Sequence, residues 1–271
     1  MDNNEEIIIK AKKLWGNDLH NNKSAPIHCN QLADIFKEQW SSALRGEFLE
    51  IGCGGGADLA VFSEVASISN ITAIDLGSNI TNLAKKYKSK ANINIFHGDA
   101  LALEFEDNSF DVIYSFGIFH HTSDPIKCIS EAKRVLRREG KLFLYLYGAH
   151  EDLWFKRLGI LLENLIMQVF KYLPYSIQNF MCILLSPLCW VLFSVPAIFL
   201  RRIGFANFAT KIPFYFGSHP FALIGDLKDR LLSPINHRFT KLEMENILSS
   251  LGFINYEVIK KASGLYILAV K

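Results

Sequence analysis

The sequence has little of what marks several protein classes. There are five cysteines in 271 residues, at 29, 53, 128, 182 and 189. The number is odd and no C-x-x-C occurs, which argues against a disulfide framework and a structural zinc site and fits a reducing cytosol. No metal is expected. Neither sign of charge dominates: 29 Lys and Arg stand against 27 Asp and Glu, a net charge of +2. With no long Lys/Arg stripe either, a nucleic-acid partner is not expected. Repeats and low-complexity tracts are absent. The opening MDNNEEIIIK is acidic with a three-residue apolar run, so no secretory signal is expected there. One absence is local: no formal charge occurs between Tyr172 and Leu200.

Half the residues are hydrophobic and 21% are charged, the balance of a folded chain. Residues 5–15 and 30–44 read as helices flanking a polar loop, Asn17 to Lys23. Leu32, Ile35, Phe36 and Trp40 recur at helical spacing in the second. Strands then alternate with helices. Strands are expected at Glu47–Ile51, Ile71–Ile74, Ile93–Phe96, Phe110–Ser115 and Leu142–Tyr147. Helices are expected at Ala57–Ser67, at Ile80–Lys88 and from Pro125 to about Arg138, the last capped by Ser123 or Asp124. Such alternation implies a mostly parallel sheet with helices on both faces. The rhythm stops at 148 and resumes at Thr240-Lys241-Leu242-Glu243, a capping box. The helix after it stops at Gly252. Phe253–Ile259 and Leu265–Val270 then form an antiparallel hairpin. The core is 45–147 with 240–271, and 148–239 is an insertion.

Residues 48–56 read Phe-Leu-Glu-Ile-Gly-Cys-Gly-Gly-Gly. Glycines permit a tight strand-to-helix turn and close approach of a ligand to the backbone. The helix N-terminus beyond suits a carboxylate or phosphate. The loop alone does not name a cofactor, because Gly52, Gly54 and Ala57 also satisfy the dinucleotide pattern G-x-G-x-x-G/A. A nicotinamide-dependent oxidoreductase is therefore the rival class. Asp75, at the end of the second strand, suits a ribose in either case.

Three features separate the two: Glu50 two residues before the first glycine, His97-Gly98-Asp99-Ala100 after the third strand, and the antiparallel hairpin. With them the chain resembles the class I S-adenosylmethionine (SAM) dependent methyltransferases, the type 11/12-like group that includes the ubiquinone and menaquinone biosynthesis enzymes. Phe110-Asp111-Val112-Ile113-Tyr114-Ser115, His120-His121 and Glu131-Ala132-Lys133-Arg134-Val135-Leu136 carry that likeness, strongly over 47–147 and loosely over 233–271. One departure is Arg138-Glu139-Gly140, where the family usually has proline before the glycine. The resemblance implies a Rossmann-like seven-stranded sheet and SAM as cofactor. It implies that Gly52, Cys53 and Gly54 pass the methionine part, with Glu50 near its amino group. Asp75 holds the ribose and Leu76 lies against the adenine. Asp99 accepts from the adenine amino group beside the Ala100 backbone, and Ser115 and Phe116 line the methionine side.

Methyl transfer from a sulfonium is an in-line displacement that needs alignment and water exclusion. A base is needed only where the nucleophile keeps its proton until late. His120 and His121 follow the fourth strand, at the edge where such sheets bind ligands. His121 is the first choice, because the family pattern places a histidine there. His237, within Ser233–Arg238, is a third candidate. The competing reading of each is packing or capping. Asp229 and Arg230 are candidates for the same wall or for solvated surface.

Phe180–Leu200 is nearly all apolar and long enough to span a membrane. One crossing would strand the last hairpin away from its sheet, and Pro187 and Pro196 interrupt the run, so two shorter helices are expected. Three roles are open for them: ordinary core, a lid over a hydrophobic pocket, or helices in a membrane surface. Trp154, Trp190 and flanking Lys156, Arg157, Lys171, Arg201 and Arg202 suit the third. The expected partner is a small apolar or amphipathic acceptor, lipid-like or quinone-like. The expected location is the cytoplasm, with or without peripheral membrane contact. A non-catalytic SAM-fold scaffold at the membrane is the remaining class.

Overall fold

A computed structural model of the chain describes residues 28–149 and 154–271. The helix expected at 5–15 and the loop after it lie outside the described residues. The chain divides into two compact units, Met1–Ala149 with Ile235–Lys271, and His150–Pro234.

In the first unit, helix α1 (Cys29–Ala43) leads into strand β1 (Gly46–Ile51). There follow α2 (Ala57–Phe62), β2 (Ile68–Asp75), α3 (Ile80–Tyr87), β3 (Ile93–His97) and β4 (Phe110–Phe116). Then come α4 (Pro125–Val135) and β5 (Leu136–Leu146). The sheet has seven strands, β6 (Asn255–Lys260) and β7 (Leu265–Val270) being the last, in the order β3-β2-β1-β4-β5-β7-β6. The first five are parallel; β7 runs antiparallel to β5 and to β6. The order reverses between β1 and β4, which opens a crevice at the carboxyl ends of those strands.

Period-two alternation sorts β5 into two cores. Phe143, Tyr145 and Tyr147 join the core under α1, α2 and α3. Leu142, Leu144 and Leu146 join the core under α4 and the helix Lys241–Ser250. Two helix starts are specified locally. The Asp124 carboxylate accepts from the Lys127 N–H at 2.9 Å, with Pro125 in the first turn. Thr240 and Glu243 form the expected reciprocal box.

Several boundaries move. The helix expected to reach Ser67 ends at Phe62, because β2 starts three residues early to pair Ile68 with Gly46 of β1. The helix expected to reach Arg138 ends at Val135, and β5 starts at Leu136 rather than Leu142. Leu136 is drawn into register with Phe110, so strand pairing overrides helix propensity. Within that stretch Glu139 has φ +63°. Proline, fixed near −65°, cannot adopt it, which accounts for the missing family proline.

α1 is tied down by one carboxylate. Asp58 accepts from the His28 and Cys29 N–H groups at 2.7 and 3.0 Å. It also accepts from the hydroxyl of buried Tyr114 on β4 at 2.6 Å. Replacing Asp58 by Ala strands that hydroxyl and two N–H groups, an expected loss of about 3 kcal/mol. Tyr114→Phe keeps the backbone contacts and costs about 1 kcal/mol. Urea midpoints at constant slope check the difference.

In the second unit, α5 (Trp154–Phe170) precedes α6 (Tyr175–Cys189). Contrary to the two separate helices expected, α6 runs on through a π-helical turn, Trp190–Ser194, into α7 (Val195–Arg202). The wide turn passes the Val195 N–H to the Trp190 carbonyl, five residues back, where an α-helix would use Val191. That looser ladder accommodates Pro196, which has no N–H to donate. Short α8 (Ala206–Ala209) and α9 (Ile224–Leu232) follow.

Candidate functional site

The site begins where β1 turns into α2. Gly52, Gly54 and Gly56 all have positive φ, at 84°, 50° and 76°. A Cβ on Gly52 would lie 2.1 Å from the Ile118 side chain, so only glycine fits. The Gly52 and Cys53 N–H groups are held by the Ile74 carbonyl at 2.7 and 3.1 Å. Burial keeps the Cys53 thiol well above its usual range, hence protonated and no nucleophile.

Three carboxylates converge beside this turn. Asp58 is satisfied by the donors already described. Asp75, at the end of β2, accepts from Gly54 N–H at 2.8 Å and from Gly77 N–H at 2.6 Å. Those bonds leave lone pairs on both oxygens. Glu50, at the end of β1, is 2% exposed, and its Oε2 has no hydrogen-bond partner among the described residues. Burial pushes the Glu50 carboxyl well above the carboxylate range, and Asp58 and Asp75 add to the shift.

The next strand ends hold the remaining expected positions. Leu76, half-buried, follows Asp75, and its carbonyl meets His97 Nε2 at 3.1 Å. Asp99 Oδ1 accepts from the Leu101 N–H at 2.9 Å, and Ala100 is buried. Ser115 on β4 is buried, with Oγ unpartnered among the described residues. Phe116 stacks between His28 at 4.5 Å and Tyr145 at 4.2 Å.

The three histidines come together. His120 and His121, in a 3-10 turn after β4, are buried with ring centroids 4.2 Å apart. His120 stacks on Tyr147 at 3.9 Å, and its carbonyl accepts from the His237 N–H at 2.8 Å. His121 Nδ1 lies 3.0 Å from the Ile235 carbonyl oxygen. A carbonyl only accepts, so Nδ1 carries the proton and Nε2 is the basic nitrogen of the neutral ring. Asp229 and Arg230 belong to the second unit, where Arg230 pairs with Asp226 at 3.5 Å and Glu163 at 3.7 Å.

Sequence reading missed His28, Asp58, Tyr145, Tyr147 and Arg238, whose guanidinium lies 5.1 Å over the Tyr147 ring. The signal for the tyrosines was present: Phe143, Tyr145 and Tyr147 alternate along one strand. Asp58 read as an ordinary acid of a first helical turn, and nothing local marks it otherwise.

Residues 49–144 match the family described as "Methyltransferase domain". Over that stretch the chain is similar to methyltransferase domains. It is 33% identical over 125 residues to a demethylmenaquinone methyltransferase of Staphylococcus aureus, covering 45% of this chain and 52% of that one. The chain thus spans about half the length of the curated relatives it matches. A solved SAM-dependent methyltransferase from Aquifex aeolicus shares the fold, with TM-score 0.50 and 16% identity over 97% of both chains.

The match to a methyltransferase domain implies SAM as cofactor, and the residues present suit it. The orphaned Glu50 and Ser115 oxygens supply acceptors for an ammonium group, and the positive-φ loop leaves no side chain in its way. Glu50→Gln is expected to weaken SAM binding on the order of ten- to a hundred-fold by calorimetry, the worth of one hydrogen bond to a charged group. A pH test follows from the raised carboxyl. The folded, cofactor-free protein holds a proton that the unfolded chain releases near pH 4.3. That stability is present below the unfolded value and lost as pH rises through the folded one. The melting temperature of the free protein should therefore fall with rising pH across that window, and Glu50→Gln should flatten the slope.

Proposed function

We propose that this chain transfers a methyl group from SAM to a small apolar or amphipathic acceptor by in-line displacement, working at a membrane surface. The observation that carries the reading is the juxtaposition of a buried, orphaned Glu50 carboxyl with the glycine turn at the switch point of a methyltransferase sheet. Bound SAM supplies a methyl already activated by the positive sulfur. The chain's own groups bind, orient and exclude water. Glu50 and Ser115 hold the amino-acid end, Asp75 the ribose, and Asp99 with the Ala100 backbone the adenine, while Leu76 and Phe116 supply apolar walls.

His121 is the proposed base. Its Nδ1 is fixed by the Ile235 carbonyl, so Nε2 takes up the acceptor's proton. His120 and His237 act on its position, through ring contact and through the backbone bond that joins their segments. The rings of Phe116, Tyr145, Tyr147 and His120 form one contiguous apolar wall, which favours a flat or greasy acceptor. The name of the S. aureus relative agrees with a quinone-like one.

The test is incubation with methyl-labelled SAM and extract of the native cell, followed by partition. Label is expected in the organic phase. His121→Ala should lower turnover roughly 10²–10⁴-fold with SAM affinity unchanged. Label in the aqueous phase would sink the apolar acceptor. Intact SAM binding with no label anywhere would favour the scaffold reading, and NADH binding in place of SAM the oxidoreductase.

A further inference from the structure

The long helix of the second unit is built inside out. Along the helix Tyr175–Arg202, the buried side chains are small or polar: Cys182, Ser186, Ser194 and Ala197. Ser186 donates to the Pro220 carbonyl at 2.7 Å and Ser194 to the Phe214 carbonyl. The large apolar side chains point the other way. Phe180, Leu184, Leu188, Val191, Leu192 and Phe199 are each more than half exposed. Only 17% of the most apolar stretch of this 28-residue helix is buried. On α5, Leu161, Leu162, Leu165 and Val169 are likewise more than half exposed. A helix in water buries its large apolar face. A helix in lipid buries small and hydroxyl residues against protein and turns the large ones out.

Charge names the occupant. From Asn164 to Gly225 the chain has no Asp or Glu, and its cations are Lys171, Arg201, Arg202 and Lys211. All of these are exposed. The apolar surface is therefore bordered by positive charge alone, which complements an anionic lipid surface.

The packing of α9 sets the mode. Leu227 and Leu231 of α9 are buried in one cluster with Cys182, Leu185 and Cys189, around the middle of the long helix. The same short helix carries Asp226, Lys228, Asp229 and Arg230. A crossing would carry these charges to the centre of the bilayer. A helix lying in one leaflet leaves them at the aqueous side.

We infer that the unit His150–Pro234 embeds in a single leaflet of an anionic bilayer, its long helix in the membrane plane and its cations in the headgroups. The inference deepens the membrane part of the proposed function. It stands apart from the acceptor, because the test below needs neither SAM nor acceptor.

The test is flotation of the full chain with sealed vesicles of phosphatidylcholine, alone or with phosphatidylglycerol added. Binding is expected to be much stronger to the anionic vesicles. Arg201→Gln with Arg202→Gln should weaken that binding roughly five-fold for each cation removed. Leu184→Ser with Val191→Ser should release the protein from both vesicle types while leaving SAM binding intact, which separates lost docking from lost folding. Tyr172→Cys and Ile203→Cys, singly, report the two ends of the helix. With protein added outside, both should react with a membrane-impermeant maleimide. Protection of one end would overturn the in-plane arrangement in favour of a crossing. Failure to float, with a discrete dimer in buffer, would overturn the lipid assignment in favour of a second copy of the chain.

Discussion

A cluster of carboxyl groups with no buried cation beside it among the described residues is the constraint around which the first unit is arranged. Glu50, Asp58 and Asp75 lie near one another at the ends of β1 and β2 and the start of α2. Two of them are met by donors from the backbone and a tyrosine. Those donors come from the glycine turn, from the first residues of α1 and from β4, so the loop's shape and the placement of α1 are both set by the need to satisfy carboxylates. The third, Glu50, is left with a raised proton affinity and an empty acceptor. A ligand that brings its own positive charge completes the arrangement. A neutral or anionic group at that position would leave the desolvated carboxyl uncompensated. Under the proposed function this is the physical reason for SAM over a dinucleotide, one that the glycine spacing by itself could not provide.

Much of the fold was legible because it rests on local rules. Alternation of two and of 3.6, the capping box at Thr240 and the short link after β6 carried the order of strands and the sense of the last hairpin. What escaped was set by partners distant in sequence. β2 and β5 begin early because Gly46 and Phe110 offer them pairing, and nothing in residues 68–70 or 136–141 announces that. Pro187 and Pro196 suggested a break that a π-helical turn avoids. The ends of the strands follow from topology, and the candidate cofactor residues that stand there were named from the family resemblance. The family pattern put His121 first among the histidines, while the carbonyl that fixes its ring stands on a segment more than a hundred residues away and could not be read from sequence.

The two units place their large apolar side chains in opposite ways. In the first, large apolar side chains fill the spaces between sheet and helices, and the polar groups that enter are satisfied or kept for a ligand. In the second, hydroxyls face the protein and close on carbonyls while leucines and phenylalanines face outward. Hydropathy read along the chain marks the second unit as the more apolar but not which way its side chains face, which becomes visible only when burial is assigned to each side chain. The proposed function draws on both arrangements, with a cofactor taken from water and an acceptor taken from the leaflet.

The wide turn at Trp190–Ser194 has a consequence for phase. At about 100° per residue, the eight steps from Ser186 to Ser194 would overshoot a common face by about 80°. A turn that spreads the same rotation over more residues takes up most of that excess and brings both hydroxyls to one side. The turn thus works as a vernier between two helical segments. Losing a single residue there would restore an ordinary α-helical turn with seven steps between the serines, about 20° from a common face, so the two hydroxyls would keep their side.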